Sequence, residues 1–333
     1  MVAPNTTPER ILFLGGHRKC GTTMLSNLLD GHPQLAVFPQ DINTLYAYYP
    51  LFLDKAYSDD DRLARLGRVI FDDLDANLAD TAVRAQVDLG TMREAFFADP
   101  DSFDPTDMRQ VLTRQLGTMV RHGATPAWFV AKETSSEIYA CELFDWFPDA
   151  KFIHLVRDPR DNYAALKAGV TSYYASFGDS AGTLLASLVH RYTLGLRAAL
   201  FNREHFGPDR YLIVRFEDLV AEPQKTVSAI VNFLEIDFSK SLMRPSILGQ
   251  PTAGNSHEEI EMFEISDHNA GRWRERITGL EAQAIEFHFG DLMSEFGYAC
   301  SYDAQDQMRA AAELYRFSNY RYFYHDRFAA TGG

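Results

Sequence analysis

Cysteine and long apolar stretches are scarce in this chain, and each scarcity excludes a class of protein. Only three cysteines occur, Cys20, Cys141 and Cys300, far apart and without a C-x-x-C pair. This spacing disfavours a disulfide framework and a cysteine metal site, so we expect free thiols in a reducing compartment. No run of 18 apolar residues occurs, and the first ten residues lack the apolar core of a signal peptide. We therefore expect a cytoplasmic protein without a membrane span.

Positive charge is also in the minority. Lysine and arginine number 32 against 46 acidic residues, which gives a formal net charge of −14. A protein that coats nucleic acid needs a basic face, so a nucleic-acid partner is disfavoured and a small-molecule or glycan partner is favoured. The hydrophobic fraction of 46% is that of a soluble globular enzyme. We expect one domain over residues 1–333, as a monomer or a homodimer.

The first strong pattern joins an apolar strand to a helix through a loop bounded by two glycines. Residues 11–14 are apolar, Gly16 and Gly21 bound the loop, and the predicted helix begins at Thr22. The free N–H groups at a helix start attract anions, and glycine lets the backbone approach them closely. The sequence therefore predicts a phosphate-binding loop.

The position of the lysine separates this loop from that of nucleotide hydrolases. The pattern G-x-x-x-x-G-K-[ST] needs lysine directly after the second glycine. Thr22 stands there instead, and the cations lie earlier in the loop, at Arg18 and Lys19. The charge is therefore displaced from where a β/γ-phosphate with Mg²⁺ would need it.

Residues 18–23, R-K-C-G-T-T, resemble the loop of sulfotransferases that use 3′-phosphoadenylyl sulfate (PAPS). In that family a strand–[RK]-x-G-T-T–helix loop holds the 5′-phosphosulfate, and the motif style is closest to the bacterial carbohydrate and tyrosylprotein-like branch. The resemblance implies Lys19 as the catalytic cation that faces the leaving phosphate. It also implies cofactor-binding roles for the rest of the loop: Arg18, Cys20, Gly21, Thr22 and Thr23.

Arg157 gives a second phosphate signal, because it follows the apolar residues 152–156 of a predicted central strand. An arginine there can bind a phosphate with both arms of its guanidinium, although an ion pair with Asp158 or Asp161 is the alternative. The resemblance implies that Arg157 lies at the 3′-phosphate site, where the family motif has an arginine and, eight residues later, a serine. That serine position holds Ala165, which removes one hydroxyl donor.

A third signal lies far downstream, in Gly271, Arg272, Trp273 and Arg274. A glycine followed by arginines and an aromatic residue suits a loop that folds over an anion, while a helix start with surface charges is the alternative. The stretch resembles the basic, glycine-bearing loop that closes the 3′-phosphate pocket in the family. The resemblance therefore implies that these four residues bind the cofactor.

Three residues are candidates for the base that takes the acceptor's proton: Asp41, His32 and His17. The branch that acts on sugar hydroxyls carries a glutamate after an H-P-x-x-A segment, and the same segment at residues 32–36 places Asp41 at that glutamate. We expect His32, which precedes a proline, to be a structural turn residue. Lys132, at the end of the predicted strand 128–131, resembles a family lysine that reaches the transferring sulfonate; a surface lysine is the alternative.

Apolar runs at residues 35–38, 128–131, 152–156 and 211–215 alternate with helical patterns. This alternation predicts an α/β fold, a P-loop-type three-layer α/β/α architecture around a central parallel sheet whose carboxyl edge binds ligands. Residues at about 46–123 have helical periodicity, and we expect a helical insertion over that edge. A C-terminal helical tail is expected at about 304–333.

Together these observations favour an enzyme that moves the sulfuryl group of PAPS to a hydroxyl, or with less preference an amine, and that requires no metal. Asp41, Lys19 and Lys132 are its expected catalytic residues. Two alternatives stay open: a P-loop kinase that uses ATP and Mg²⁺, and an inactive nucleotide-binding scaffold. Ala165 and Asp41, the two departures from the family pattern, motivate the scaffold.

Overall fold

A parallel sheet organises the computed structural model, which describes residues 10–53, 56–79, 83–119, 126–169, 181–252 and 265–314. In these residues the sheet has five strands in the order β2-β3-β1-β4-β5. The strands are β1 (Ile11–Gly15), β2 (Leu35–Asp41), β3 (Trp128–Lys132), β4 (Lys151–Val156) and β5 (Tyr211–Arg215). Every expected strand is present, and the predicted fold class is confirmed.

Helices cover both faces of the sheet. Along β1, Ile11 and Phe13 belong to one hydrophobic core and Leu12 and Leu14 to the other. Side chains alternate between the faces of a strand, so a strand buried on both faces is apolar throughout. The helices are, in chain order, α1 (Thr22–Leu29), α2 (Thr44–Ala47), α3 (Asp59–Gly67), α4 (Asp73–Leu78), α5 (Leu89–Phe96), α6 (Met108–Gly117), α7 (Ala140–Trp146), α8 (Pro159–Ala168), α9 (Ala181–Phe206), α10 (Phe216–Ala221), α11 (Pro223–Leu234), α12 (Trp273–Arg276), α13 (Gly279–Glu295) and α14 (Ala304–Leu314).

The insertion between β2 and β3 is helical, and its placement over the carboxyl edge stays a prediction. Its large apolar side chains, such as Ile70 and Phe96, pack in the same core as Ile11 and Phe13, on one face of the sheet. An apolar helical stripe must be buried, and that face of the sheet offers the apolar surface. Residues 54–55, 80–82 and 120–123 of the expected insertion lie outside the described residues.

The C-terminal segment begins with a helix, as expected. Helix α14 covers Ala304–Leu314 and buries Ala310 and Leu314. Residues 315–333 of the expected tail lie outside the described residues. Among the helices of the described ranges, none combines the length and the apolar character that a membrane span needs.

Gly195, in the middle of α9, generates a stability prediction. A Cβ added there would lie 2.6 Å from Oε1 of the buried Glu137. That carboxylate cannot easily move, because its Oε2 accepts the N–H of Gly16 at 2.9 Å. We expect Gly195→Ala to lower the free energy of unfolding by about 1–3 kcal/mol through overpacking, although alanine normally stabilises a helix by about 1 kcal/mol relative to glycine.

The control is Gly117→Ala at the end of α6, where the added Cβ has no atom within 4 Å. This variant should be as stable as the parent protein or more so. Urea denaturation monitored by circular dichroism measures both changes. Equal stability of the two variants would contradict the close packing of Glu137 against α9.

Candidate active site

The loop between β1 and α1 has a backbone that only glycine suits at two positions. Gly16 has a φ of +137°, and a Cβ there would lie 2.4 Å from the carbonyl oxygen of Leu155. Gly21 has a φ of +98°, and its Cβ would lie 2.6 Å from the ring of Phe216. Gly21 is also the N-cap of α1 and has no side chain with which to cap that helix. The first-turn N–H groups of α1 are therefore placed to bind an anion.

Side chains from α8 and α9 form hydrogen bonds with this loop. Asn162 donates from Nδ2 to the carbonyl oxygen of Arg18 at 2.9 Å and to Sγ of Cys20 at 3.2 Å. The Cys20 thiol donates to the hydroxyl of Tyr192 at 3.4 Å. Burial raises the pKa of the Cys20 thiol to about 12, so the thiol stays protonated. Cys20 therefore packs the loop and is not a reactive thiolate.

Lys19 and Arg157 bring two positive charges together beside the loop. Lys19 has a left-handed backbone, with φ of 66°, and its carbonyl oxygen accepts from Nη1 of Arg157 at 2.9 Å. Burial, followed by the charge of Arg157, lowers the pKa of the Lys19 ammonium to about 8. Nε of Arg157 is a buried N–H with no hydrogen-bond partner among the described residues. A bound anion would satisfy that N–H and relieve the repulsion between the two cations.

The ion pair that sequence patterns offered as the alternative for Arg157 belongs to Arg160 instead. Arg160 donates to Asp158 Oδ2 and to Glu286 Oε1, both at 2.6 Å. The guanidinium of Arg157 instead lies 4.4 Å from the ring centroid of Phe216 and donates from Nη2 to a carbonyl of the late loop. Arg157 therefore ties the phosphate loop to the chain near residue 269.

The late loop, residues 269–274, is held against α8 by a carboxylate. The N–H groups of Gly271 and Trp273 donate to Asp161 Oδ2 and Oδ1 at 2.6 and 2.8 Å. Asp161 thus already takes two donors that were predicted to hold a cofactor. Ala165 lies one turn further along α8, on the same side as Asp161, and is half-buried. The cofactor contacts of Gly271, Trp273 and Ala165 remain predictions.

The arginines of the late loop and of the phosphate loop have protein partners. Trp273 is buried, and the guanidinium groups of Arg160 and Arg274 lie 4.4 and 4.3 Å from its ring centroid. Arg272 forms an ion pair with Glu275 at 3.3 Å. In the phosphate loop, Arg18 donates from Nη2 to Ser187 Oγ at 2.7 Å, which ties this loop to α9.

Asp41, Lys132 and Thr23 meet at the carboxyl ends of β2 and β3. Nζ of Lys132 donates to Asp41 Oδ1 at 2.8 Å and to Thr23 Oγ1 at 3.3 Å. The side chain of Lys132 is 5% exposed and that of Asp41 is 36% exposed, so the carboxylate is the solvent-accessible member of the pair. The structure therefore brings two of the expected catalytic residues into contact, beside the first turn of α1.

The two histidine candidates for the base have other roles. His32 binds the carbonyl oxygen of Asp237 through Nε2 at 2.8 Å, and its Nδ1 accepts the N–H of Gln34 at 3.2 Å, which confirms it as a turn residue. His17 stacks on Tyr192, with ring centroids 4.9 Å apart. Burial, and then the charge of Arg18, lowers the pKa of His17 to about 3, so it binds a proton weakly near pH 7.

A cavity of about 290 Å³ opens beside Pro39, two residues before Asp41 on β2. Helix α5, the residues before it, the two residues that follow α6 and the turn at Leu248 form its other walls, with Met92 and Met119 among the lining residues. No group of three or more histidine, cysteine or acidic side chains in the described ranges is arranged to hold a metal ion.

Comparison with known proteins identifies the family. A sequence model described as "Sulfotransferase family" matches residues 12–240, more than half of the chain. The chain belongs to the sulfotransferase family. The resemblance that the loop motif indicated is thereby confirmed, and the protein is a sulfotransferase.

Relatives and a solved structure agree with this membership. The chain is 23% identical to protein-tyrosine sulfotransferase 2 of Gallus gallus over 86% of its own length and 69% of that protein. It is 24% identical to the omega-hydroxy-beta-dihydromenaquinone-9 sulfotransferase of Mycobacterium bovis, over 89% and 77% of the two chains. The sulfotransferase domain from the curacin biosynthetic pathway superposes with a TM-score of 0.54 at 17% identity, covering 88% of this chain and 99% of that domain. That superposition shows the shared fold.

The sequence did not reveal the residues whose side chains hold the loops of the sulfotransferase site by hydrogen bonds. Glu137 and Tyr192, which anchor the phosphate loop, lie in segments whose patterns indicated only helix. Asn162 and Asp161 lie next to the expected arginine, but nothing in the sequence distinguished them from ordinary residues of a first helical turn. The available signal was position: a polar residue in the first turn after a central strand faces the ligand edge.

Proposed function

We propose that this sulfotransferase moves the sulfuryl group of PAPS to an acceptor hydroxyl, or with less preference an amine, by in-line displacement. The observation that carries the proposal is the contact of Lys132 with both Asp41 and Thr23 at the strand ends. One lysine there joins a candidate base to the first turn of the helix that follows the phosphate loop. Sulfuryl transfer needs a base and cations on opposite sides of the reacting group.

The residues near the loop fit a nucleotide with phosphates at both ends. The start of α1, whose N-cap is a glycine, would hold the 5′-phosphosulfate together with the ammonium of Lys19 and the donors of Thr22 and Thr23. The buried, unpaired Nε of Arg157 would bind the 3′-phosphate, with Arg272 and Arg274 beside it. The two glycines, whose added Cβ atoms would collide with Leu155 and Phe216, let the loop backbone pack closely against β4 and α10.

The proposed reaction gives a role to each of the three catalytic residues. PAPS supplies an activated sulfuryl group on a phosphate that leaves readily. Asp41 takes the proton of the acceptor hydroxyl while the acceptor oxygen bonds to sulfur. Lys19 stabilises the charge that develops on the phosphate oxygen as the sulfur–oxygen bond breaks, and Lys132 holds Asp41 and contacts the transferring group. Positioning and charge stabilisation supply most of the rate, as in phosphoryl transfer.

The names of the relatives suggest acceptor classes for a first panel. One relative is named for protein tyrosine and another for the omega-hydroxyl of a menaquinone. We propose a phenolic or a long-chain alcohol hydroxyl as acceptor, with sugars and amines as further members of the panel. Incubation with radiolabelled PAPS measures sulfation of each compound. An absence of transfer to every class, from an enzyme that binds the nucleotide, would favour the inactive scaffold.

Calorimetric titration tests the nucleotide. We expect adenosine 3′,5′-bisphosphate to bind more tightly than ATP with Mg²⁺, because the site offers cations for two separate phosphates. Lys19→Ala should weaken the binding of the bisphosphate about 10- to 100-fold, as expected for a lost charge-assisted contact. Tighter binding of ATP with Mg²⁺ would contradict the proposal and favour the kinase.

The same titration predicts a pH dependence. The pKa of Lys19 in the free protein is lowered to about 8, and a bound anion favours the charged ammonium, so binding raises that pKa. The affinity for the bisphosphate is therefore highest near pH 7, where Lys19 is charged. It falls above pH 8, by at most tenfold per pH unit. Lys19→Arg is the control, because arginine stays charged over this range. An equal fall in this variant would assign the effect to another group.

Asp41→Asn tests the base. Asparagine keeps an oxygen that can accept from Lys132 but cannot take a proton from the acceptor. We expect kcat to fall about 10²- to 10⁴-fold, the usual contribution of a general base, while the affinity for the bisphosphate stays within twofold. Asp101→Asn, at an exposed position of the insertion, is the control. A kcat within threefold of the parent enzyme would exclude Asp41 as the base.

A further inference from the structure

Glu133 is a buried carboxyl beside the catalytic pair to which the proposed chemistry gives no role. It follows Lys132 directly and is only 2% exposed. Its Oε2 accepts the N–H of Leu45 at 2.9 Å, and its Oε1 accepts the N–H of Tyr46 at 2.5 Å. Both donors belong to the first turn of α2, the short helix that begins three residues after Asp41.

Helix α2 depends on Glu133 because it has no cap of its own. Its N-cap residue, Asn43, has a φ of 58° and makes no side-chain cap hydrogen bond. The Asn43 amide donates instead to Asp73 at 3.4 Å. The first N–H groups of a helix lack partners within the helix, and a carboxylate from elsewhere in the chain can satisfy them. Glu133, which directly follows β3, therefore caps α2 in place of a local N-cap side chain.

A second buried side chain holds the same segment. Gln115 donates from Nε2 to the carbonyl oxygen of Ile42 at 2.8 Å and accepts from Thr44 Oγ1 at 2.5 Å. The N–H of Ile42 donates to the carbonyl oxygen of Lys132 at 2.9 Å. The backbone after Asp41 is thus fixed at Ile42, at Thr44 and, through Glu133, at the start of α2. Asp41 itself remains partly exposed at the head of this held segment.

We propose that Glu133 is a positioning residue that acts through α2, fixing residues 41–46 so that the Asp41 carboxylate stays on Lys132. The inference rests on the proposed function in that Asp41 is taken as the base. Catalytic groups lose much of their effect when they are displaced by about 1 Å. A base on a short connection after a strand end needs such a support.

The chemistry of the position explains why a carboxyl group serves there. Burial, and to a lesser extent the charge of Asp41, raises the pKa of Glu133, while the two N–H donors favour its ionised form and oppose the shift. Two converging donors need two acceptor oxygens, which a carboxyl group offers on adjacent positions. A glutamine has the same size but one acceptor, and its NH₂ group would face an N–H donor. Glu133→Gln therefore removes one contact with little change in volume.

Three measurements on Glu133→Gln test the proposal, with Asp145→Asn, an exposed acid on α7, as the control. In hydrogen exchange followed by mass spectrometry, peptides spanning residues 42–47 should exchange at least tenfold faster than in the parent protein. Exchange in peptides of β1 should be unchanged. Kinetics with the best acceptor of the panel should show kcat reduced at least tenfold. The dissociation constant of adenosine 3′,5′-bisphosphate should stay within twofold. The control should match the parent protein in all three.

The outcomes separate this inference from the proposed function. Unchanged exchange at residues 42–47, or a kcat within twofold despite faster exchange, would overturn the positioning role. A parallel loss of bisphosphate affinity would also overturn it, because Glu133 would then act on the whole site. If Asp41→Asn keeps its activity while Glu133→Gln shows faster exchange and a lower kcat, the choice of base fails, but Glu133 still positions the segment.

Discussion

The parallel arrangement of the strands is the constraint on which the site depends. Because β1 lies between β3 and β4, the loop after β1 has Lys132 on one side and Arg157 on the other. These residues are more than a hundred positions from the loop in sequence. Parallel pairing brings them to the same edge, as it does for ligand sites in other open α/β sheets. The register, in which Leu14 pairs with Lys132 and Asp41 pairs with the same residue, then sets which side chains meet.

Buried polar groups hold this edge in shape. The phosphate loop rests on Glu137, Asn162 and Tyr192, and each hydrogen bond that it makes to them replaces a contact with water. Inside the loop the N–H of Cys20 donates to the carbonyl oxygen of His17, but a loop has no regular hydrogen-bond ladder to satisfy its other buried groups. Its remaining polar groups therefore need partners from the surrounding helices. Such supports are fixed by tertiary packing and leave no local pattern in the sequence.

Local patterns were sufficient for the strands, the phosphate loop and the family. The apolar runs predict the five strands of the parallel sheet, and the loop motif indicates a sulfotransferase because its glycine spacing and cation placement are set by the local backbone. The placement of the insertion over the carboxyl edge stays a prediction, since periodicity shows that a helix has an apolar stripe but not which surface buries it. The partners of Arg157 and Asp161 were also unpredictable, because they depend on a loop more than a hundred residues away. The catalytic roles of Lys19, Asp41 and Lys132 stay proposals.

The segment after β3 connects the two halves of the site. Glu133 holds the connection that follows Asp41, and Glu137, four residues later, holds Gly16 of the phosphate loop. Between them the N–H of Ser135, a residue with a left-handed backbone, donates to the carbonyl oxygen of Gly16 at 3.0 Å. A non-glycine residue in that conformation costs about 1–2 kcal/mol and persists only where its surroundings impose it. The six residues from Lys132 to Glu137 therefore connect the segment that carries Asp41 to the loop between β1 and α1.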